Sequence, residues 1–443
     1  MKTQVIVAML NIFTIFTGVQ QGFCQQGPVK APEKSFTVGA VTITDKSYYY
    51  FVNLDYTGKT TPHEMGVQYG QCILKAVPDF ESMIGYYLFE IATLEGLWGK
   101  TVGDRTRAIR SHLDEAARDE IDGLASVMKG AWTWTPTEEI YAYSLLPDVI
   151  RTSQCSAFGC WGRASVDGKN IVGRNLDWFG GLFKQELPAI QAITRIRYPE
   201  GRTIYLFGAL GHLGCITGIN TNTKILAGIL DADVEGSIYN VEGCTSFSFD
   251  LRRALERFKT TEEVADFLTD STRHYTFSHL VVLADERETA ILENNIAKAG
   301  RQPMRALRHD TSKLNPGISW GHPQMIGAVN GFMLNGQVDN ISLGKHAKIN
   351  TRRWELLLDR ITEKTANTGG RFSARDVREI MSSFHGKEPG SLFLNAGDIY
   401  NLQTQQMIIY TPGERTVDVY LTPKAGGNLA DPGPYYHTIE LEP

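Results

Sequence analysis

Apolar side chains recur first with a helical period, then, past residue 155, with a strand-like one. Pro62-His63-Glu64-Met65-Gly66 opens an apolar-periodic stretch running towards Phe89. A second spans Asp104 to Lys129, with Leu113, Ala116, Ala117, Ile121 and Leu124 on one side. A third covers Thr137 to Ile150, with Pro136 near its start. Each predicts a helix. After Cys155 the segments Cys155 to Ser165 and Ile171 to Trp178 flank Asp167-Gly168, a strong hairpin-turn signal. Further strands are predicted at Ala189 to Tyr198, Thr203 to Leu210, Cys215 to Asn220 and Ile225 to Asp231. Helices follow over Ser246 to Phe258 and from Thr260 or Thr261, where Glu262 and Glu263 suit the first turn. His279 to Glu293 reads as a hairpin around Asp285-Glu286-Arg287-Glu288, followed by helices near Arg352 to Lys364 and Ser373 to Ser383. A last hairpin spans Met407 to Leu421 and turns at Pro412-Gly413. This block order predicts an α+β chain, two sheets sandwiched between helical layers.

The amino-terminal two dozen residues follow another pattern. Lys2 gives a positive start, Val5 to Phe16 is mostly apolar, and Gly22 and Cys24 are small residues before a cleavage point near Gln25. This is the pattern of a secretory signal peptide, residues 1–24, and it predicts export to a periplasmic or extracellular space, or a lysosome-like compartment in a eukaryote. The apolar run falls short of the about 20 residues a membrane span needs, and no later segment is apolar enough for an integral span. A lipid anchor on Cys24 is the competing reading, but Gln21-Gly22-Phe23 lacks the residues such a site prefers. Gln25 to Glu33 is a polar linker.

Composition excludes more than it selects. The 443 residues are 42% hydrophobic and 21% charged, ordinary for a soluble globular chain. The net charge of −5 is spread without long single-sign runs, so the clustered basic surface of a nucleic-acid binder is absent from the pattern. Loss of Cys24 with the signal would leave five cysteines, an odd number, and an unpaired thiol in an oxidising compartment is a candidate reactive group. Histidines do not cluster near the cysteines as a zinc site would need, so neither metal nor cofactor is expected.

The chemistry-bearing segment is Cys155-Ser156-Ala157-Phe158 with Gly173-Arg174-Asn175-Leu176-Asp177-Trp178. If both arms pair across Asp167-Gly168, Arg174 and Asp177 return to the end where Cys155 sits. A thiol needs a base, because the thiolate is the nucleophile. Cleavage between Gln154 and Cys155 would supply one: a free α-amine has a pKa of about 7.7–8.0 and a thiol about 8.5, close enough for proton transfer near neutral pH. Asp177 could orient the ammonium, and Arg174 could favour the thiolate. The plainer alternatives are a buried cysteine acting as a small hydrophobe and a strand end carrying a salt bridge.

These residues, with Trp161-Gly162-Arg163-Ala164 and Asp167-Gly168-Lys169, resemble the cysteine N-terminal-nucleophile (Ntn) hydrolases. The nearest likeness is to the isopenicillin N acyltransferase-like family, and the Arg-Asn-Leu-Asp block is similar to that of choloylglycine hydrolases, penicillin V acylases, acid ceramidase and N-acylethanolamine acid amidase. Pro62 to Gly70 resembles that acyltransferase group's N-terminal helix, and Gly214 to Asn220 its glycine-rich strand. The resemblance implies a four-layer αββα sandwich, a mainly helical α chain over 25–154 and a catalytic β chain over 155–443, the two staying associated after self-cleavage. It implies Cys155 as nucleophile, Arg174 as the thiol-adjacent arginine, Asp177 as the α-amine partner, Asn330 in Val329-Asn330-Gly331-Phe332 as an oxyanion-hole donor, and Arg353 as a late structural arginine. The plainer readings of the last two are a turn asparagine and a surface helix arginine. Leu230 or Asp231 falls where some relatives carry Asn or Tyr, so the second donor is replaced or comes from backbone; an acid there stabilises an anion only when protonated.

The expected activity is hydrolysis of a small-molecule N-acyl amide at a linear carbon–nitrogen bond. Acyl transfer to an amine or thiol acceptor is the alternative. Gln154, six residues before Cys160-Trp161, also gives a papain-like spacing. That reading needs a helix after Cys160, where Asp167-Gly168 instead predicts a hairpin. Cys160 then reads as a core strand residue or half of a disulfide. A non-catalytic binding module on the same fold should have lost Cys155, Arg174 or Asp177, and all three are present. Tyr48, Tyr49, Tyr50, Phe89, Trp98, Trp132 and Trp134 are candidates for lining an acyl pocket, with core packing as their other explanation.

Overall fold

Proline and capping residues cut the N-terminal half into more, shorter elements than apolar periodicity suggests. The computed structural model describes residues 32–97, 99–130, 135–150, 154–181, 185–232, 241–296, 304–337, 347–386, 389, 397–423 and 431–443. The expected signal segment, Cys24, Trp98, Trp132 and Trp134 lie outside the described residues. Three strands come first, β1 (Lys34–Val38), β2 (Val41–Asp45) and β3 (Tyr50–Asp55). Helix α1 (Pro62–Ala76) starts on a capping box between Thr61 and Glu64 and stops before Pro78, which disfavours a helical residue ahead of it. The stretch expected to be continuous therefore resumes as α2 (Phe80–Leu94). The next one divides into α3 (Gly99–Arg110) and α4 (Glu115–Ser126), the latter capped by the Asp114 side chain on the Ala117 N–H. The third divides at Leu145 into α5 (Pro136–Ser144) and α6 (Leu146–Val149), with Pro147 in the first turn of α6.

Strands β4 (Gln154–Cys160) and β5 (Ile171–Asp177) form the expected hairpin, and α7 (Glu186–Ala189) follows. Then come β6 (Gln191–Arg197), β7 (Thr203–Ala209), β8 (Thr217–Asn220), β9 (Ile225–Asp231), α8 (Phe247–Arg257) and α9 (Thr261–Thr269). The chain continues through β10 (His279–Ala284), β11 (Thr289–Asn295), β12 (Met304–Arg308), β13 (Met325–Ala328), α10 (Ala347–Thr368) and α11 (Ala374–Met381). It ends with β14 (Thr404–Tyr410), β15 (Thr416–Leu421) and β16 (Tyr436–Glu440).

Two sheets result, a ten-stranded one in the order β1-β2-β3-β6-β7-β8-β9-β10-β11-β12 and a six-stranded one in the order β13-β4-β5-β14-β15-β16. The fold is mixed α+β. Residues 34–55, within the segment expected to be mainly helical, are strands, and β3 joins β6 as a parallel pair. The two sheets meet through specific contacts. Thr289 donates to Asn170 (2.9 Å), Arg308 donates to the Gly327 carbonyl (2.9 Å), and Gly159 leaves the space that Thr289 fills. Helix α8 lies against β8 and β9, α1 against β1 and β2, and α11 against β4, β5 and β14. Among the described residues no helix is long and apolar enough to cross a membrane.

Segments on either side of the Gln154–Cys155 bond are tied together by a buried ion pair. Arg252 of α8 donates to both Glu120 oxygens (2.6 and 2.8 Å), and Tyr56 donates to the same carboxylate. Helices α1 and α4 approach backbone to backbone. A Cβ on Gly66 would lie 2.0 Å from the Glu120 carbonyl oxygen, and one on Gly123 would lie 2.1 Å from that of His63. Neither helix can yield without breaking its own ladder. Gly123→Ala is therefore expected to destabilise the protein by about 1–3 kcal/mol, the range for forced overpacking. Urea unfolding checks this, and an unchanged midpoint would refute the tight crossing.

Candidate active site

The β4–β5 register decides which side chains meet. Cys155 pairs with Leu176, Ala157 with Arg174, and Gln154 with Asp177. Alternation puts Cys155, Ala157, Arg174 and Leu176 on one face, turned towards the ten-stranded sheet. Asn175 and Asp177 take the other face. There the Asn175 amide donates to the Met381 and Ile399 carbonyls (2.7 and 3.0 Å).

On the first face, Arg174 is fully buried. Its Nη2 lies 3.5 Å from Cys155 Sγ and donates to the Ile229 carbonyl of β9 (2.6 Å). Its Nε and Nη1 have no hydrogen-bond partner among the described residues. The guanidinium fits because β9 carries Gly228, where a Cβ would stand 3.1 Å from Arg174 Nε. Among the described residues no carboxylate forms an ion pair with this arginine, and of the ionisable groups around it the Cys155 sulfur acts on it most strongly, ahead of Asp177, Cys215 and Asp231.

On the second face, Asp177 is saturated. Thr404 Oγ1 donates to Oδ1 (2.6 Å), while Asn401 Nδ2 (3.0 Å) and Arg353 Nη2 (3.2 Å) donate to Oδ2. Arg353 also donates to the Cys155 carbonyl (2.8 Å), Asn330 Oδ1 (2.5 Å) and the Asp398 carbonyl (3.2 Å). Asn330 Oδ1 accepts in addition from the Cys155 N–H (2.7 Å), and its Nδ2 donates to the Asp231 carbonyl (2.6 Å). Two donors converge on one end of this amide and a carbonyl meets the other, which fixes its orientation.

The structure thus brings together all five residues singled out from the sequence, with Gln154 on the strand beside Asp177. Asn330 turns its oxygen, rather than its amide nitrogen, to the Cys155 nitrogen. Arg353 lies inside the site, not on a helix surface, and is fully buried. Asp231 reaches Asn330 through its backbone carbonyl. Asn401 and Thr404 were not anticipated. Their signal is local, since the Asn401 side chain accepts from the Gln403 N–H (2.9 Å) and Thr404 Oγ1 from the Asn401 N–H (3.0 Å), a turn that four polar-rich residues encode.

Electrostatics follow burial. Desolvation pushes the Cys155 thiol up to about 11. Arg174 and the Asp177 backbone N–H pull it down, and the Asp177 and Asp231 carboxylates reinforce the rise. Desolvation pushes Asp177 up to about 6 against Arg353, Thr404, Asn401 and Arg174. At neutral pH the intact chain therefore holds a thiol beside an ionised, fully bonded carboxylate. Cys160 is placed otherwise. It closes β4, paired with Ile171 and Met325, and is followed by a single 3-10 turn (Gly162–Ala164) and the β4–β5 connection instead of heading a long helix, and burial pushes its thiol far up. That geometry removes the papain-like reading. Cys72, Cys155, Cys160, Cys215 and Cys244 are all free thiols.

Beside the site lies a narrow, largely apolar cavity of about 40 Å³, whose walls include Tyr87, Tyr143, Leu146, Leu176 and Trp178. Leu176 is the register partner of Cys155, so the cavity begins one strand from the sulfur. Of the aromatic residues named from the sequence, the four that are described, Tyr48, Tyr49, Tyr50 and Phe89, do not line it. Tyr48 and Tyr49 pack on His437, and Phe89 is 54% exposed.

No family model matches the chain, and no curated protein matches it. Solved structures do. An N-acylethanolamine-hydrolyzing acid amidase ortholog from Caenorhabditis elegans is similar over 59% of this chain and 94% of its own, at 16% identity and a TM-score of 0.40. Two variants of a conjugated bile acid hydrolase from Clostridium perfringens are similar over 65% of this chain and 97% of theirs. Their identities are 13% and 12%, with TM-scores of 0.35 and 0.33. Likeness at this level assigns no family.

The high thiol pKa gives a direct test on uncleaved chain. Alkylation of Cys155, followed by mass spectrometry of the full-length band, should be slow at pH 7. It should rise about tenfold per pH unit, because the thiolate fraction does so below the pKa, and level off only near 11. A plateau below pH 8 would contradict this environment.

Proposed function

We propose that the chain is a self-processing cysteine amidohydrolase that cleaves linear N-acyl amides with Cys155 as its amino-terminal nucleophile. One observation carries the reading. The sulfur of Cys155 faces a buried arginine that forms no ion pair among the described residues, while its backbone nitrogen faces Asn330 Oδ1 and sits beside the Gln154–Asp177 pair. Among the described residues no imidazole hydrogen-bonds the sulfur, so the base this arrangement calls for is the nitrogen of Cys155 itself.

Processing would begin with attack of Cys155 Sγ on the Gln154 carbonyl. The Gln154–Cys155 C–N bond breaks, a thioester forms, and the nitrogen takes the thiol proton. Water then hydrolyses the thioester, leaving a Gln154 carboxylate and a free Cys155 α-amine. In the mature enzyme that amine accepts the thiol proton, the thiolate attacks the substrate carbonyl, and the departing amine is protonated by the ammonium. A second water releases the acyl group from sulfur. Asp177, Asn330 and Arg353 position the nitrogen. An oxyanion role for Asn330 uses its Nδ2, whose place is set by the Asp231 carbonyl; one good donor is worth about 2.7–4 kcal/mol.

Facing sheets with helices on their outer sides support reading the fold as the four-layer αββα sandwich of the cysteine Ntn hydrolases. The β3–β6 pairing and the Glu120–Arg252 ion pair support continued association of the two fragments. The signal-like amino terminus supports export.

Wild-type protein is expected to yield two fragments on a denaturing gel, the larger beginning at Cys155. Cys155→Ala should stay a single chain and lose amide hydrolysis by roughly 10⁴-fold or more, as removal of a nucleophile does. An active preparation whose larger fragment begins at another residue would sink the proposal.

A further inference from the structure

The walls of the cavity beside Cys155 are not uniformly satisfied. Its tyrosine hydroxyls are occupied: Tyr87 accepts from Trp178 Nε1 (2.6 Å) and donates to the Phe179 carbonyl (2.9 Å), and Tyr143 donates to the Leu210 carbonyl (2.9 Å). Gln405 is occupied too, donating to the Trp178 carbonyl (3.1 Å) and accepting from Gln191 Nε2 (3.3 Å). Four polar atoms on the same walls have no hydrogen-bond partner among the described residues: His212 Nδ1 and Nε2, Gln191 Oε1 and Gln406 Oε1. All three side chains are more than nine-tenths buried. Native structures match such atoms with protein, water or ligand, and a group of them on the walls of one cavity beside the nucleophile offers hydrogen-bond partners to a ligand's polar atoms.

Their placement is built, not incidental. Gln406 lies in the same cross-strand row as Leu176 and Cys155, two strands away, so about 10 Å separates it from the nucleophile. A β-bulge between Thr404 and Gln406 disturbs the strand's alternation there, and both Gln405 and Gln406 line the cavity. His212 sits just beyond β7, where Tyr69 accepts from the Gly211 N–H (2.9 Å) and Tyr143 holds the Leu210 carbonyl. The Tyr143 ring meets the imidazole edge to face at 6.2 Å, and Gly208 leaves room beside it. The Gly214 backbone biases the ring towards protonation but hydrogen-bonds neither nitrogen, and burial holds the imidazole neutral, pushed down to about 4.

A neutral imidazole offers one donor and one acceptor, and the two amide oxygens only accept. The set is short of donors and contains no cation, which disfavours a carboxylate. We infer that this cavity is a specificity subsite for the acyl group, and that it selects acyl groups carrying a hydroxyl, which donates to Gln191 or Gln406 and accepts from His212. The small volume suits the hydroxyl-bearing end of the acyl group, with Leu176 and Trp178 flanking the carbons. This inference rests on the amidohydrolase reading.

The test uses processed full-length enzyme and N-acyl amides that share a leaving amine and acyl length and differ only in a hydroxyl or a terminal carboxylate. Wild type should favour the hydroxylated acyl group over the plain one in kcat/KM by roughly tenfold or more, since a site built of hydrogen-bonding groups rejects the analogue that lacks them. The carboxylate should be disfavoured. In Gln406→Leu and in His212→Phe the hydroxyl-to-plain ratio should fall towards one. Both substrates are read on one preparation, so the ratio is insensitive to how much variant folds. A wild-type ratio of one or below, or a ratio undiminished in both variants, overturns the subsite while leaving the amidohydrolase intact. A protein that neither processes nor hydrolyses any amide overturns both.

Discussion

The guanidinium of Arg353 is the interaction on which the site depends. It touches the Cys155 carbonyl, Asn330 Oδ1, Asp177 Oδ2 and the Asp398 carbonyl, groups drawn from four separate stretches of chain. Arginine can do this because its donors form a rigid planar fork and its charge survives burial. Arg353 and Asp177 are both fully buried, and removing one partner of such a pair costs about 3–5 kcal/mol because a bare charge is left behind. That pairing has a second effect. It leaves the second arginine of the site, Arg174, with a carbonyl and a sulfur as its hydrogen-bond partners among the described residues, so its field acts on the thiol.

The two faces of one strand thus separate two tasks. The side chain of Cys155 points into the space between the sheets, where Arg174 and β9 set the properties of the sulfur. Its backbone N–H and C=O are held by Asn330 and Arg353, and Arg353 also bonds Asp177. Since β-strand alternation is strict, a one-residue slip of β4 would exchange these environments. The partners Gln154–Asp177 and Ala157–Arg174 are therefore a register requirement as much as a chemical one.

What the sequence made legible follows the range of the interactions. The hairpin carrying Cys155, Arg174 and Asp177 could be read because Asp167-Gly168 fixes a local turn and register does the rest. Asn330 and Arg353 arrive from far along the chain, and no spacing rule reports that; only their resemblance to known motifs drew attention to them. Helix phase explains the missed aromatic wall. On α2, Tyr87 faces the cavity while Tyr86 and Phe89 face outward, a distinction that composition cannot make. Strands β1 to β3 were missed although Val41 and Ile43, then Val52 and Leu54, alternate in burial as strands do. Pro78 and Pro147 were likewise present to divide the long helical stretches.

The intact chain also explains why such a site would be silent until cut. With an amide nitrogen on Cys155, no proton acceptor among the described residues hydrogen-bonds the sulfur, and burial keeps it protonated well above neutral pH. The proposed cleavage at Gln154–Cys155 would alter one bond yet change three things. The nitrogen would become an amine that titrates near neutrality, Asp177 would lose its strand partner and gain an ammonium neighbour, and Asn330 Oδ1 would accept from a cation instead of an amide. Each change favours ionisation of the thiol or of the carboxylate next to it. The surrounding framework would not need to move, because the segment before the proposed cleavage point is paired into the ten-stranded sheet through β3 and β6. The activation this predicts is electrostatic: a base is created at the sulfur while the walls around it stay where folding put them.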